Sequence, residues 1–220
     1  MSGQGQMSAI LLAAGESTRL GRPKQLLPWE GSSLISSTIK KLAAAGCGRL
    51  IVVVGAYQSQ VREQCIAPSD VQLDIVTNVD WNRGQASSLR AGIEYALADK
   101  DIGATVIALC DQPFIEPSHY RELVAKVCRL GYFAAATEYP EGLGVPACLS
   151  LLALKSLSVM DGDSGAKHWI RDQPPHIIGR VTCLSAAKDI DTELDYEELN
   201  GMIGTDHKTS EVSCKRDGTS

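Results

Sequence analysis

The chain has no apolar run approaching the roughly 18 residues that a bilayer-spanning helix requires, so no membrane span is expected. Its first residues, Met1-Ser2-Gly3-Gln4-Gly5-Gln6, offer neither a charged start nor an apolar stretch, and so do not read as a signal peptide. Positive charge is not in excess: 21 Lys and Arg against 26 Asp and Glu give a net charge of −5. That balance argues against a nucleic-acid binder or a membrane-surface binder, while leaving room for a local basic pocket. Cys-x-x-Cys pairs are lacking, although seven cysteines stand at 47, 65, 110, 128, 148, 183 and 214. Their odd count and apolar surroundings fit reduced, buried thiols in a cytoplasmic protein. The four histidines, 119, 168, 176 and 207, are scattered, and none pairs with a cysteine at ligand spacing, so zinc is not expected. No elbow motif marks a Ser/His/Asp triad.

What is present suits one α/β domain. The 220 residues are 44% hydrophobic, enough for a proper core. Strands are expected at residues 8–12, 50–54, 71–77, 104–109, 132–137, about 146–150 and 176–184. Helices are expected from Ser32 or Ser33 to about 45, and over about 59–65, 84–98, 116–130, 151–157 and 193–201. Strand, helix, strand, helix, strand is the rhythm of a parallel sheet with right-handed crossovers. The domain is taken as residues 1–203. Residues 204–220 are polar and are expected to form a disordered tail without chemistry of its own.

The stretch after the first strand carries the chemistry. It reads Ile10-Leu11-Leu12-Ala13-Ala14-Gly15-Glu16-Ser17-Thr18-Arg19-Leu20-Gly21-Arg22-Pro23-Lys24. Small residues let backbone approach a ligand, and free N–H groups in such a loop point at anions. Arg19 adds a forked cation and Lys24 a point charge. The glycines are too far apart for a dinucleotide fingerprint, and Lys24 does not directly follow Gly21 as it would in a P-loop. This is a third kind of phosphate loop.

Three later segments add to it. Asn78 precedes Trp81, Gly84, Ser87 and Ser88, and the serines open a helix. By itself this is a capped helix, but a helix N-terminus with serines also offers hydrogen bonds to a ligand. Asp111-Gln112-Pro113 follows the strand at 104–109. An acid at the tip of a buried strand must be hydrated, cap its own turn, or bind a cation such as Mg²⁺. The last segments are Asp161-Gly162-Asp163-Ser164-Gly165-Ala166-Lys167 and Asp189-Ile190-Asp191-Thr192-Glu193. Asp163 caps a helix or touches ligand. Lys167 is either a solvated helix lysine or a second phosphate cation. His168 is more readily explained by packing than by ligand contact.

Together these segments resemble the signatures of the MobA-like nucleotidyltransferase superfamily, most closely its molybdenum cofactor cytidylyltransferase branch. The first loop is similar to L-A-A-G-x-S-x-R-M-G-x-x-K-x-L-L-P, with Leu20 for Met. The later ones are similar to N-x-x-W-x-x-G-x-x-x-S-L, D-Q-P, G-D-x-G-A-K and D-I-D-T-P-E-D-Y, with Glu193 for Pro. Val145 stands where the family commonly has Asn, in a loop expected at residues 139–147 facing the second substrate. The resemblance covers about residues 7–200.

It implies a single Rossmann-like α/β domain with a mostly parallel, mixed sheet of about seven strands flanked by helices. It implies transfer of CMP from CTP to molybdenum-loaded molybdopterin, with Mg²⁺ or Mn²⁺ as cofactor. The partners are then CTP, the molybdopterin cofactor and a target molybdoenzyme or its chaperone. Catalytic roles fall to Arg19, Lys24 and Asp111. Nucleotide binding falls to Leu12, Ala13, Ala14, Gly15, Glu16, Ser17, Arg19, Lys24, Asn78, Gly84, Ser87, Ser88 and Asp111. The metal falls to Asp111 and Asp191, and the acceptor to Gln112, Pro146, Gly165 and Lys167. The guanylyl-transferring relatives usually carry L-A-G-G, so Ala14 is expected to put a methyl beside the base and favour a pyrimidine. The competing readings are a GTP-using guanylyltransferase, a nucleotidyltransferase for a sugar or polyol phosphate, and a non-catalytic molybdenum cofactor carrier.

Overall fold

A computed structural model describes residues 6–159, 165–183 and 189–212, with side chains described over 7–202 of these. The elements in chain order are β1 (Gln6–Ala13), β2 (Pro28–Trp29), β3 (Ser32–Ser33), α1 (Leu34–Ala44), β4 (Arg49–Val54), α2 (Gln58–Gln64), β5 (Gln72–Thr77) and α3 (Gln85–Leu97). There follow β6 (Ile102–Leu109), α4 (Pro117–Cys128), β7 (Ala134–Tyr139), β8 (Gly142–Leu149), α5 (Leu151–Ser158), α6 (Ala166–Asp172), β9 (Ile178–Thr182) and α7 (Glu193–Val212).

Seven strands form one sheet in the order β5-β4-β1-β6-β8-β7-β9, and β2 and β3 form a small ribbon. Neighbours are parallel except where β8 runs against β6 and β7, so the sheet is mixed and mostly parallel, as expected. The central strands read as continuous apolar runs because both faces are covered. Alternation divides them between two cores. Leu11, Val52 and Val106 face α1, α2 and α4, while Ile10, Ile51 and Ile107 face α3, α5 and α6. Gly92 lets α3 settle on this second face, since a Cβ there would stand 2.6 Å from Ile10 Cγ2. Among the described residues no helix is long and apolar enough to cross a membrane.

Two expectations are corrected. The loop expected at 139–147 is mostly strand: β8 begins at Gly142, and only Pro140 and Glu141 make the turn. Its glycines and Pro146 read as loop, but the ladder accommodates them with a bulge. Pairing passes from Ala136↔Ala147 to Thr137↔Gly144, leaving Val145 and Pro146 unopposed. The polar segment expected to be disordered from 204 is helical as far as Val212, and the rest of it lies outside the described residues. The helix is firmly started: Thr192 Oγ1 accepts from Asp195 N at 3.2 Å and Asp195 Oδ2 from Thr192 N at 2.7 Å, a reciprocal cap. No proline stops it, and propagation costs little once a turn exists.

A third, smaller cluster joins Leu20, Leu27, Trp29 and Leu34 to Ile190, Tyr196 and Leu199. It fastens the start of α7 beneath the loop that follows β1. Tyr196 also donates its hydroxyl to Pro28 O at 2.9 Å, and Arg22 pairs with Glu193.

Candidate active site

The loop after β1 is folded around Ser17. This residue has φ +57, an uncommon conformation for a side chain of its kind. Its carbonyl accepts from Leu20 N at 3.0 Å and Gly21 N at 3.1 Å, and its hydroxyl accepts from Lys24 N at 3.2 Å. Gly21 closes the turn with φ +71. Below the loop, Gln25 is 2% exposed and donates its amide to Ala13 O at 3.0 Å and Gly15 O at 2.8 Å. One side chain thereby ties the last carbonyl of β1 to a carbonyl of the loop that follows.

The loop delivers Lys24 between two carboxylates. Its Nζ lies 2.9 Å from Asp111 Oδ2 and 2.9 Å from Asp191 Oδ1, and Arg19 Nη1 is 3.1 Å from Asp191 Oδ2. Asp111 stands just beyond the end of β6. Asp191 arrives from the segment between β9 and α7, pinned by Ile190 N donating to Asp111 O at 3.0 Å. Burial works against the Lys24 charge, but Asp111 and Asp191 outweigh it and hold the ammonium above the ordinary lysine range. Two acids from distant parts of the chain, Asp111 and Asp191, are thus joined by one cation.

The residues present fit a divalent cation. Asp111 Oδ1 is buried without a partner, an arrangement that is costly unless something compensates it. Asp111 and Asp191 supply hard oxygen donors, and two carboxylates suit a cation that completes its shell with phosphate oxygens.

Two cavities adjoin here. The first, about 350 Å³, is lined by Leu12 through Arg19, Lys24, Gly84, Ser88, Asp111 and Asp191, together with Gln25, Trp81 and Asn82. The second, about 360 Å³, is lined by Gln112, Gly165, Lys167 and His168, with Tyr139, Val145, Asp189 and an apolar floor of Leu89 and Ile107. Leu12, Gln85 and Leu109 belong to both walls.

Most residues singled out from the sequence meet in these walls, and three do not. Asn78 donates to Ser87 Oγ at 2.8 Å and Ser88 Oγ at 3.0 Å, tying the end of β5 to the start of α3. Asn78 and Ser87 are therefore absent from the wall of the first cavity. Pro146 is buried, and its carbonyl accepts from Thr137. Asp163, with the rest of 160–164, lies outside the described residues. Ala14 lines the first cavity but is almost wholly enclosed. Ala14 is 4% exposed, and its methyl packs toward Gly55, in the core under the sheet's second face.

Sequence reasoning missed Gln25, Gln85, Leu109, Tyr139 and Asp189. Asp189 alternates with Asp191, and that spacing could have marked both, since residues two apart in an extended segment share a face. Its carboxylate accepts from Gln112 Nε2 at 3.1 Å. Burial, helped by the nearby Asp111 charge, pushes it up to about 6. Tyr139 and Gln25 carried no local signal.

Comparison with known proteins identifies the family. Residues 9–177 match the MobA-like NTP transferase domain. The chain is 30% identical over 195 residues to nicotine blue oxidoreductase of Paenarthrobacter nicotinovorans, covering 84% of this chain and 92% of that one. It is 32% identical over 87 residues to molybdenum cofactor cytidylyltransferase of Escherichia coli, covering 40% of this chain and 44% of that one. A crystal structure of Rv0371c from Mycobacterium tuberculosis in complex with manganese superposes with TM-score 0.69 at 26% identity, covering 89% of this chain and 98% of that one. With the loop after β1 and Asp111 both inside a match that spans most of the sequence, this chain belongs to the MobA-like NTP transferase domain family.

Proposed function

We propose that the protein transfers CMP from CTP to molybdenum-loaded molybdopterin, releasing pyrophosphate and forming molybdopterin cytosine dinucleotide. The observation that carries the reading is the pair of cavities on a common wall. Asp111 lines one and Gln112, its neighbour in sequence, lines the other. A donor and an acceptor seated there meet beside Lys24, Asp111 and Asp191. The similarity to the Escherichia coli cytidylyltransferase supports cytidine as the donor base and molybdopterin as the acceptor.

The chemistry needs little from a general base. The terminal phosphate of the acceptor is already ionised at neutral pH. One of its oxygens attacks the α-phosphorus in line, a new P–O bond forms, and the bond from that phosphorus to the bridging oxygen breaks. Pyrophosphate leaves with the electron pair. Catalysis is then positioning and charge stabilisation. Backbone of Ala13 to Ser17 cradles the triphosphate. Arg19 and Lys24 neutralise the phosphate chain and the leaving pyrophosphate, Lys24 exchanging its carboxylate partners for phosphate oxygens. Asp111 and Asp191 would hold Mg²⁺ or Mn²⁺, which supplies charge neutralisation across the reacting phosphates. Lys167, at the start of α6, faces the acceptor cavity and offers its phosphate a cation.

Pyrophosphate release with Mg²⁺ and molybdenum-loaded molybdopterin, run in parallel with CTP, GTP, ATP and UTP, tests this. Release with CTP far above the others is expected. Release with GTP instead changes the donor. Release only with sugar or polyol phosphates changes the acceptor. Binding of molybdopterin with no release on any acceptor replaces the enzyme reading with a carrier.

A further inference from the structure

We propose that His119 and Thr137, which touch neither cavity, are positioning residues for the second substrate, acting through the bulge in β8. The proposal rests on reading the cavity bounded by Gln112, Tyr139 and Val145 as the acceptor's.

Both residues are deep in the protein: His119, on α4, is 6% exposed and Thr137, on β7, is 0% exposed. The Nε2 of His119 lies 2.8 Å from Thr137 Oγ1, and Thr137 Oγ1 donates to Pro146 O at 2.7 Å. A hydroxyl has one proton. Since Thr137 gives it to a carbonyl, which can only accept, the imidazole Nε2 must carry the hydrogen of the other bond.

The bonds fall where the ladder between β7 and β8 is interrupted. Pairing skips from Ala136↔Ala147 to Thr137↔Gly144, so Val145 and Pro146 face no partner residue. Proline has no N–H to return to a ladder. The Thr137 hydroxyl takes the place of the missing ladder contact and holds the bulge against β7.

What the bulge presents is cavity wall. The Val145 carbonyl accepts from the Tyr139 hydroxyl and from Gln112 Nε2, the latter at 3.4 Å. Gln112 Nε2 also reaches Tyr139 Oη at 3.1 Å and Asp189 Oδ1 at 3.1 Å. These acceptors dictate the orientation of the Gln112 amide, because turning it over would set its oxygen against a carbonyl and a carboxylate. A continuous set of bonds therefore runs from α4 through Thr137 and Pro146 to Val145, and on to Gln112 and Tyr139. None of His119, Thr137, Pro146, Val145, Gln112 or Tyr139 belongs to the nucleotide-side wall. A change at the buried end is then transmitted to one substrate and not the other.

The test measures KM for molybdenum-loaded molybdopterin and KM for CTP separately in Thr137→Val, which keeps the shape and removes the donor, and in Thr137→Ser, which restores it. Thr137→Val is expected to raise the acceptor KM about tenfold and leave the CTP KM within about twofold, with Thr137→Ser back near the wild type. His119→Phe, which removes the other bond, moves the acceptor KM in the same direction and keeps the question open to test if Thr137→Val does not fold. Lys167→Ala, on the cavity wall but outside this set of bonds, is the control. An altered acceptor KM in Lys167→Ala with normal values in the folded Thr137 and His119 variants overturns the positioning role and retains the cavity's assignment. Normal acceptor KM in all of them, or no turnover of molybdopterin by the wild type, overturns the assignment and the proposal with it. CTP and acceptor KM rising alike in Thr137→Val also overturns it.

Discussion

Gly55 lies so close to Ala14 that a Cβ on it would stand 2.7 Å from the Ala14 carbonyl oxygen and 2.9 Å from the Ala14 methyl. The same Cβ would come 2.6 Å from Trp81 Cβ. The glycine after β4 therefore lets the end of β1 and the Trp81 turn close on one another. The Ala14 methyl is spent on that packing. Ala14→Gly is expected to leave the CTP to GTP ratio of kcat/KM within about twofold, whereas a methyl in contact with the base would shift it about tenfold or more. Gly55→Ala is expected to destabilise by about 1–3 kcal/mol, read by urea unfolding, because the clash is with backbone that cannot yield cheaply.

Lys24 and the two acids form a single unit whose members have different roles. Asp111→Asn keeps an oxygen for Lys24 and is expected to fold with a melting temperature near the wild type. Its turnover in the pyrophosphate assay is expected to fall about 100-fold or more, because charge stabilisation at the reacting phosphates is removed. A folded Asp111→Asn protein with wild-type turnover rules out the proposed role of that carboxylate.

Gln25 is the support under the phosphate loop. Gln25→Ala leaves the Ala13 and Gly15 carbonyls without the amide that now serves both. The expected cost is about 1–3 kcal/mol in chemical unfolding, with a raised KM for the triphosphate and an unmoved KM for the acceptor. Gln25→Glu, which sets a carboxylate against two carbonyl oxygens, is expected to be worse on both counts.

His119 predicts the pH dependence of stability. Burial holds its imidazole below the ordinary value of 6.5, with Glu122 pulling the other way. The unfolded chain then takes up this proton at a higher pH than the folded one. Its contribution to stability is full above 6.5 and is lost as pH falls from there through the folded value. Unfolding free energy measured between about pH 7.5 and about pH 5 should fall less steeply in His119→Phe than in the wild type. An identical slope in the two proteins discards the assignment.

Much of this protein can be read in one dimension. Apolar runs such as Leu50 to Val54 announce buried strands because both faces of a parallel sheet are covered. Ser33 accepts from Ser36 N and so caps α1, one of the two expected choices. The phosphate loop is legible because its ligand groups are contiguous. Thr192 is legible as a cap because a helix start has local causes, whereas Asp191 is singled out only through the resemblance of its segment to D-I-D-T-P-E-D-Y. The turn region after β7 was misread for an equally physical reason: Pro and Gly signal loops unless a neighbouring strand tolerates a bulge, and the neighbour is not in the local sequence.

The chain's own order of residues determined the α/β rhythm, the phosphate loop and the acids available to it, since each follows from side chains near one another in sequence. Only the tertiary structure decided which of these meet. Lys24 between Asp111 and Asp191, Gln25 under the carbonyls of Ala13 and Gly15, Tyr139 and Asp189 on Gln112, and the Ala14 methyl turned to Gly55 all depend on contacts across the fold. Periodicity reports which face of an element is buried. It does not report what that face is buried against, because that is set by the packing of distant segments into the same few ångströms.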